Sequence, residues 1–346
     1  MAHGDSRLEE VDALRGVAAL AVVLFHLTTQ FDRLYTPVKT SSLSFMHGHY
    51  GVNLFFVISG FVIFMTLAKT RTAADFVVSR FSRLYPTYWL AVLITFAVTH
   101  ALGLPGKLVS AGHALANALM FHGLFRVPHV DGVYWTLEVE LLFYCGMLAL
   151  FVCKQLHRIF ALVTGLLLLR LVYFACQQLL GIDLPFILWR LLILQYLPWF
   201  ALGLAVHALT QDGDRKVRMQ AGCVAGLALL ILAVSESLAI AALGAAFFML
   251  VLAAALSRLS LLRLRALVWL GSISYPLYLL HENISWSLML RLHALGWQTD
   301  VIAVVALLAA LALAAAVSRW AEQPAMRWIR QRWRRRQTTI RQVHGH

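Results

Sequence analysis

The chain has 346 residues, of which 61% are hydrophobic and 13% charged, and its mean hydropathy is +0.76. That balance excludes a soluble globule and places the chain among polytopic membrane proteins. A net charge of +13 does not point to nucleic acid, because the basic residues sit in short loops and near the C-terminus, between apolar stretches, as orientation signals do.

Apolar runs long enough to span a bilayer, or nearly so, fall at about 12–30, 51–68, 84–101, 134–152, 158–177, 187–208, 219–235, 237–256, 267–290 and 301–321. They predict an all-α bundle of ten transmembrane helices with both termini on one side. Most of the 29 lysines and arginines, from Arg7 and Arg15 through Lys69, Arg80 and Arg83 to the C-terminal cluster, fall on the side of the N-terminus, so the expected orientation is N-in and C-in. Only Ser235-Glu236-Ser237 parts the short pair 219–235 and 237–256, for which one bent helix or a re-entrant hairpin is the competing reading. The first run follows Asp5, Glu9 and Glu10 and lacks a small-residue cleavage site, so it is expected to remain as a helix rather than leave as a signal peptide.

The external connection, about 102–133, holds an apolar stretch too short to span, expected to lie along the interface or dip back as a lid. Its His113, His122 and His129 lack ligand spacing and read as solvated loop residues, and no metal site is expected. Cys145, Cys153, Cys176 and Cys223 lie in or at the ends of apolar segments and suggest neither disulfides nor zinc. Residues 1–325 read as one membrane domain. Residues 326–346, dense in Arg and Trp, read as a basic cytoplasmic tail anchored on anionic lipids.

Chemistry concentrates in a few places. Eleven helical positions bring His26 to within about 20° of the azimuth of Arg15 and about 16 Å deeper, so a cation marks the membrane entrance and an imidazole stands mid-bilayer. An ionisable group there is by default a site; a histidine bonded to a neighbouring helix is the competing reading. Gly51, Ser59 and Gly60 suit close helix packing. Arg80 and Arg83, at i and i+3, offer forked donors to phosphate at the level of Arg15, against the plainer reading of orientation signals. Glu138 and Glu140 diverge by about 200° on a helix. Glu140, the deeper, is expected to meet His26 or an arginine, with a structural hydrogen bond as the alternative. Pro276 predicts a kink, and His281 lies toward the outer half, where an acceptor contact and simple packing compete.

These segments, in this order, resemble the membrane-bound acyltransferase-3 family of bacterial enzymes that O-acylate sugars and other envelope molecules. The resemblance rests on Asp12-x-x-Arg15-Gly with His26, Gly51-Val-Asn-Leu-Phe-Phe-Val-Ile-Ser-Gly-Phe61, Arg80-x-x-Arg83 with Tyr85-Pro86, Trp135-Thr-Leu-x-Val-Glu140 with Phe143-Tyr144, and Ser274-Tyr-Pro-Leu-Tyr-Leu-Leu-His281. Two departures are Glu138, where a small apolar residue is common, and Leu141-Leu142, where a polar pair is frequent. Some relatives carry a fused extracytoplasmic hydrolase-like domain, and none is expected here.

The resemblance implies acyl transfer in the bacterial inner membrane from cytoplasmic acyl-CoA, in the simplest case acetyl-CoA, to a hydroxyl of a glycan or lipid-linked saccharide. Arg15, Arg80 and Arg83 then suit the anionic head of CoA. His26 serves as general base or as acyl carrier, oriented by Glu140. Trp135, Tyr275 and His281 are candidates to contact the acceptor, although the aromatic belt also accounts for the first two. The rival class is a proton-coupled transporter using His26, Glu140 and His281 as a relay.

Overall fold

The structure is a computed structural model that describes residues 9–35, 41–183, 185–211 and 214–344; Asp5 and Arg7 lie outside the described residues. Its helices are α1 (Glu9–Phe25), α2 (Gly51–Ala68), α3 (Ala73–Leu102), α4 (Ala111–Asn117), α5 (Trp135–Val152), α6 (Ile159–Leu180), α7 (Phe186–Leu191), α8 (Leu197–Thr210), α9 (Arg215–Ser235), α10 (Leu238–Ala255), α11 (Arg265–Leu280), α12 (Asn283–Ala294), α13 (Thr299–Val317) and α14 (Gln323–His344). No strand occurs among the described residues. The all-α expectation holds.

Eight helical stretches among the described residues are long and apolar enough to cross a membrane, against the ten expected. The two others are broken. Run 187–208 divides into α7 and α8 around a turn where the β-branched Ile193 sits at φ 46°. Run 267–290 divides into α11 and α12 at His281 and Glu282; Pro276 lies inside α11, and the break comes after it. The short pair forms two helices, α9 and α10, packed on each other.

The chain forms two compact units. One comprises the chain up to Ala18, Tyr50–Lys69 and Thr136–Ser272. At its heart lies α8, buried from Leu197 to Ala208 and flanked by α2, α9 and α10. Gly60 and Gly203 let α2 and α8 meet backbone to backbone: a methyl group on Gly60 would strike the Phe200 carbonyl oxygen, and one on Gly203 that of Val57. The turn before α8 is held by Arg170, itself buried, whose guanidinium donates to the carbonyls of Leu194 and Gln195, to Ser235 Oγ and to Glu236. Where the chain enters this unit, buried Glu10 pairs with Arg263 at 2.8 Å and accepts the Leu259 amide.

The second unit comprises Ala19–His49, Thr70–Trp135 and the chain from Ile273 onward. Here α3 packs on α12 and α14, and α12 packs on α13. The external connection folds back onto this unit. Buried Asn117 donates to the carbonyls of His113 and Pro128 and accepts the Val130 amide, while Tyr88 and Trp89 of α3 donate to the carbonyls of Asn117 and Ala118. His113 is exposed as expected, but His122 is buried and lies 2.6 Å from His129, so the loop histidines are not uniformly solvated. Burial and the neighbouring His129 pull the His122 pKa down to about 4.

Three outcomes follow. Gly203→Ala overpacks the α2–α8 contact and is expected to cost about 1–3 kcal/mol, read as a lower unfolding temperature in detergent. Gly226→Ala, where a Cβ meets open space, is expected to be neutral or stabilising through helix propensity. For His122, the folded state binds fewer protons than the unfolded one between pH 6.5 and about 4, so this loop loses stability as pH falls through that window. Limited proteolysis of residues 103–131 against pH is expected to accelerate below pH 6.5 and to flatten in His122→Asn.

Candidate active site

His26 ends the regular part of α1 and opens a π-helical turn, His26–Gln30, a distortion common at functional sites. Its Nδ1 lies 2.9 Å from the Val22 carbonyl and 3.1 Å from Nε2 of His281. A carbonyl only accepts, so His26 Nδ1 carries the hydrogen. The same argument fixes His281, whose Nδ1 lies 2.9 Å from the Tyr278 carbonyl, leaving its Nε2 as the acceptor facing His26. His26 Nε2 therefore keeps its lone pair, and it points at Oε2 of Glu282, 3.3 Å away. The pair attracts only when a proton lies between them.

Glu282 occupies the break between α11 and α12. Its other oxygen is 3.8 Å from Nζ of Lys107, and a Cβ on Gly132 would run into its carboxylate, so this glycine makes room for the acid. Lys107 also lies over the indole of Trp286, and Trp286 Nε1 donates to the His26 carbonyl at 2.9 Å. Asp131, fully buried, accepts the amides of Asn283 and Val133 at 3.0 and 3.3 Å and so caps the start of α12, while the Asn283 side chain donates to the Val130 carbonyl. Burial pushes the Asp131 carboxyl up, and those two amides pull it back. The centre is closed on most sides: the side chain of Glu282 is 5% exposed and that of His26 14%, while Lys107, at 32%, marks its open side.

The remaining expected site residues fall as follows. Glu140 belongs to the first unit, where its Oε1 accepts from Ser59 Oγ at 2.8 Å and from the Tyr144 hydroxyl. The carboxylate on the His26 ring is Glu282, where the sequence reading put Glu140. Glu138 is fully buried and pairs with Arg190 at 2.9 Å, so the two acids of α5 take different partners, as their divergence on the helix requires. Arg15 is half-buried on α1, and Arg80 and Arg83 are half-buried on α3. His281 is fully buried against His26. Tyr275, expected near the outer half, is buried with its hydroxyl bonded to the carbonyl of Leu84, next to Arg83. Trp135 is half-buried. Among the described residues no group of three or more His, Cys, Asp or Glu could hold a metal ion.

Sequence reasoning did not single out Glu282, Lys107, Asp131 and Trp286 for the centre. A signal existed for the first, which directly follows His281, and for Lys107, a lysine in an outer loop against the trend of the other basic residues.

Fold and centre together define a multi-pass, all-helical membrane protein built around a buried histidine–carboxylate pair. The family model described as an acyltransferase domain, acyltransferase-3, matches residues 8–319, and the chain belongs to that family. It is 31% identical to exopolysaccharide production protein ExoZ of Rhizobium meliloti (strain 1021), over 32% of this chain and 37% of that protein. It is 34% identical to protein 2 in the picA locus of Rhizobium radiobacter, over 32% and 62%, and 29% identical to acyltransferase MdmB of Streptomyces mycarofaciens, over 40% and 38%. Each match spans less than two thirds of the relative's own length. No solved structure matches.

Asp131→Ala removes the acceptor for the Asn283 amide in a buried place and is expected to cost about 1–3 kcal/mol. The effect should appear in hydrogen exchange, as faster exchange of the amides in the first turn of α12.

Proposed function

We propose that this protein is an O-acyltransferase of the bacterial inner membrane, oriented N-in and C-in. It moves an acyl group, acetyl in the simplest case, from cytoplasmic acyl-CoA to a hydroxyl of an extracytoplasmic or lipid-linked glycan. The observation that carries the reading is His26, whose Nδ1 is fixed by Val22 and His281 and whose Nε2 is left facing Glu282.

In this scheme His26 Nε2 takes the proton of the acceptor hydroxyl as its oxygen forms a bond to the thioester carbonyl carbon. The carbon–sulfur bond then breaks, and the departing thiolate takes the proton from the imidazolium. The His26–Glu282 ion pair exists only while the imidazolium exists, so Glu282 stabilises the reacting state more than the resting one. At 3.3 Å it is longer than a charge-assisted hydrogen bond of about 2.7–2.9 Å, which leaves Nε2 within reach of an incoming hydroxyl. The Lys107 ammonium, 3.8 Å from Glu282, favours the carboxylate form of that acid. Arg80 and Arg83 hold the anionic head of the donor, and along α1 the helix rise of about 16 Å from Arg15 to His26 matches the length of its pantetheine arm. Glu140 holds the Ser59–Tyr144 network of the first unit. Trp135 lines the acceptor's approach, and the buried His281 holds the His26 ring. The exopolysaccharide named in one relative and the acyltransferase named in another support a saccharide hydroxyl as acceptor.

The test is binding and slow hydrolysis of acetyl-CoA by the purified protein in nanodiscs. His26→Ala is expected to bind acetyl-CoA and to lose about 10²–10⁴ in turnover, and Glu282→Gln to lose turnover with binding kept. Arg15→Ala and Arg83→Ala are expected to weaken binding. Wild-type turnover in His26→Ala removes this histidine from the chemistry, and no affinity of folded wild type for any acyl-CoA turns the reading toward transport.

A further inference from the structure

The arginine-rich C-terminal segment was expected to act as a lipid anchor. In the structure α14 is docked along the first turns of α3. Trp333 Nε1 donates to Asp75 Oδ1 at 2.8 Å, and Gln337 donates to the same oxygen. One turn back, Arg330 Nε donates to Ser82 Oγ at 3.1 Å and its Nη2 reaches the Ser79 carbonyl at 3.5 Å. Ser79 and Ser82 alternate with Arg80 and Arg83 on that turn of α3, so the contact sets Arg330 among like charges. Arg83, Arg80 and Arg334 are the groups whose field acts on it.

Such an arrangement opposes itself. Like charges repel more strongly near a protein than in bulk water, and here several of one sign are gathered. The Asp75 carboxylate takes its hydrogen bonds from Trp333, Gln337 and Thr72 and, among the described residues, forms no ion pair with Arg83, Arg330 or Arg334. Among the described residues no ion pair with a carboxylate is formed by Arg83, Arg330 or Arg334. Hydrogen bonds that hold a helix in a position where arginines converge imply an anion with several charges, and forked guanidinium donors suit phosphate oxygens.

We propose that Arg80, Arg83, Arg330 and Arg334 form one phosphate-binding site, completed by α14, for the nucleotide end of acyl-CoA. The inference rests on the acyl-CoA reading above and adds a part of the chain that reading did not use. The diphosphate and ribose phosphate of coenzyme A match a cluster of four guanidiniums carried on two helices better than the single phosphate of a phospholipid head does. The docked tail is then a wall of the donor site.

The experiment measures the affinity of coenzyme A, 3′-dephospho-coenzyme A and acetyl-pantetheine for the full-length protein in zwitterionic nanodiscs, and separately the retention of phosphatidylglycerol by native mass spectrometry. Arg330→Gln and Arg334→Gln are each expected to weaken coenzyme A binding about tenfold, to weaken the dephospho form less and to leave acetyl-pantetheine unchanged. Arg330→Lys is expected to recover part of the loss. Among the described residues the exposed Arg334 makes no side-chain hydrogen bond that holds α14 in place, so its variant reports on the ligand and not on the fold. Arg332→Gln, whose parent stacks on Trp328, is expected to stay within twofold of wild type. Unchanged coenzyme A affinity in both Gln variants overturns the proposal, and if phosphatidylglycerol retention falls instead, the phosphate belongs to a lipid. Should wild type bind no form of coenzyme A, the donor reading fails and this inference with it; binding by wild type with no effect of Arg330 or Arg334 sinks the inference alone.

Discussion

Lipid offers no hydrogen bonds, so each place where the main chain leaves a regular helix inside the apolar layer must be answered by a polar group from elsewhere in the protein. Much of this fold follows from that constraint. The turn before α8 exposes the carbonyls of Leu194 and Gln195, and the buried guanidinium of Arg170 takes both. The break before α12 exposes the amide of Asn283, and Asp131 takes it. The π turn leaves the carbonyl of His26 with spare capacity, and the indole of Trp286 fills it. Two of these three repairs lie at the proposed reaction centre. The irregular backbone that gives His26 its setting thus requires the same side chains that surround it.

The sequence carried the fold class and the positions of most helices and singled out His26, because apolar run length and the intramembrane cost of an ionisable group are local properties. Helix breaks were not local. Nothing in residues 187–208 announces that Arg170, on another helix, will hold a turn there, and Pro276 drew attention to a kink while the interruption arose where Glu282 turns back toward His26. The partner of a carboxylate is equally non-local. Glu140 has the depth expected of a histidine partner, but depth along one helix does not tell which neighbour it faces, and Ser59 and Tyr144 take its oxygen. Glu282 directly follows His281, but only the chain break at that point turns it toward His26.

Glu138 shows how a departure from a family pattern is absorbed. A carboxylate in a place commonly small and apolar would be untenable in isolation, since removing a charge from water costs several kcal/mol. Arg190, just before the strained turn at Ile193, supplies the counter-charge at 2.9 Å. The pair joins α5 to the same turn that Arg170 holds from α6, so two arginines on separate elements fix one break in the chain.

The centre gathers groups from positions 26, 107, 131 and 281–286, spread over most of the polypeptide. A chain emerging from the ribosome inserts α1 early, yet the acid that faces His26 is made only after some 250 further residues have been threaded into or across the bilayer. Throughout that interval the imidazole has neither its carboxylate nor the second histidine. The centre therefore assembles late, once α11 and α12 are made, and a truncated or stalled chain is left with a helix that carries the histidine without its partners.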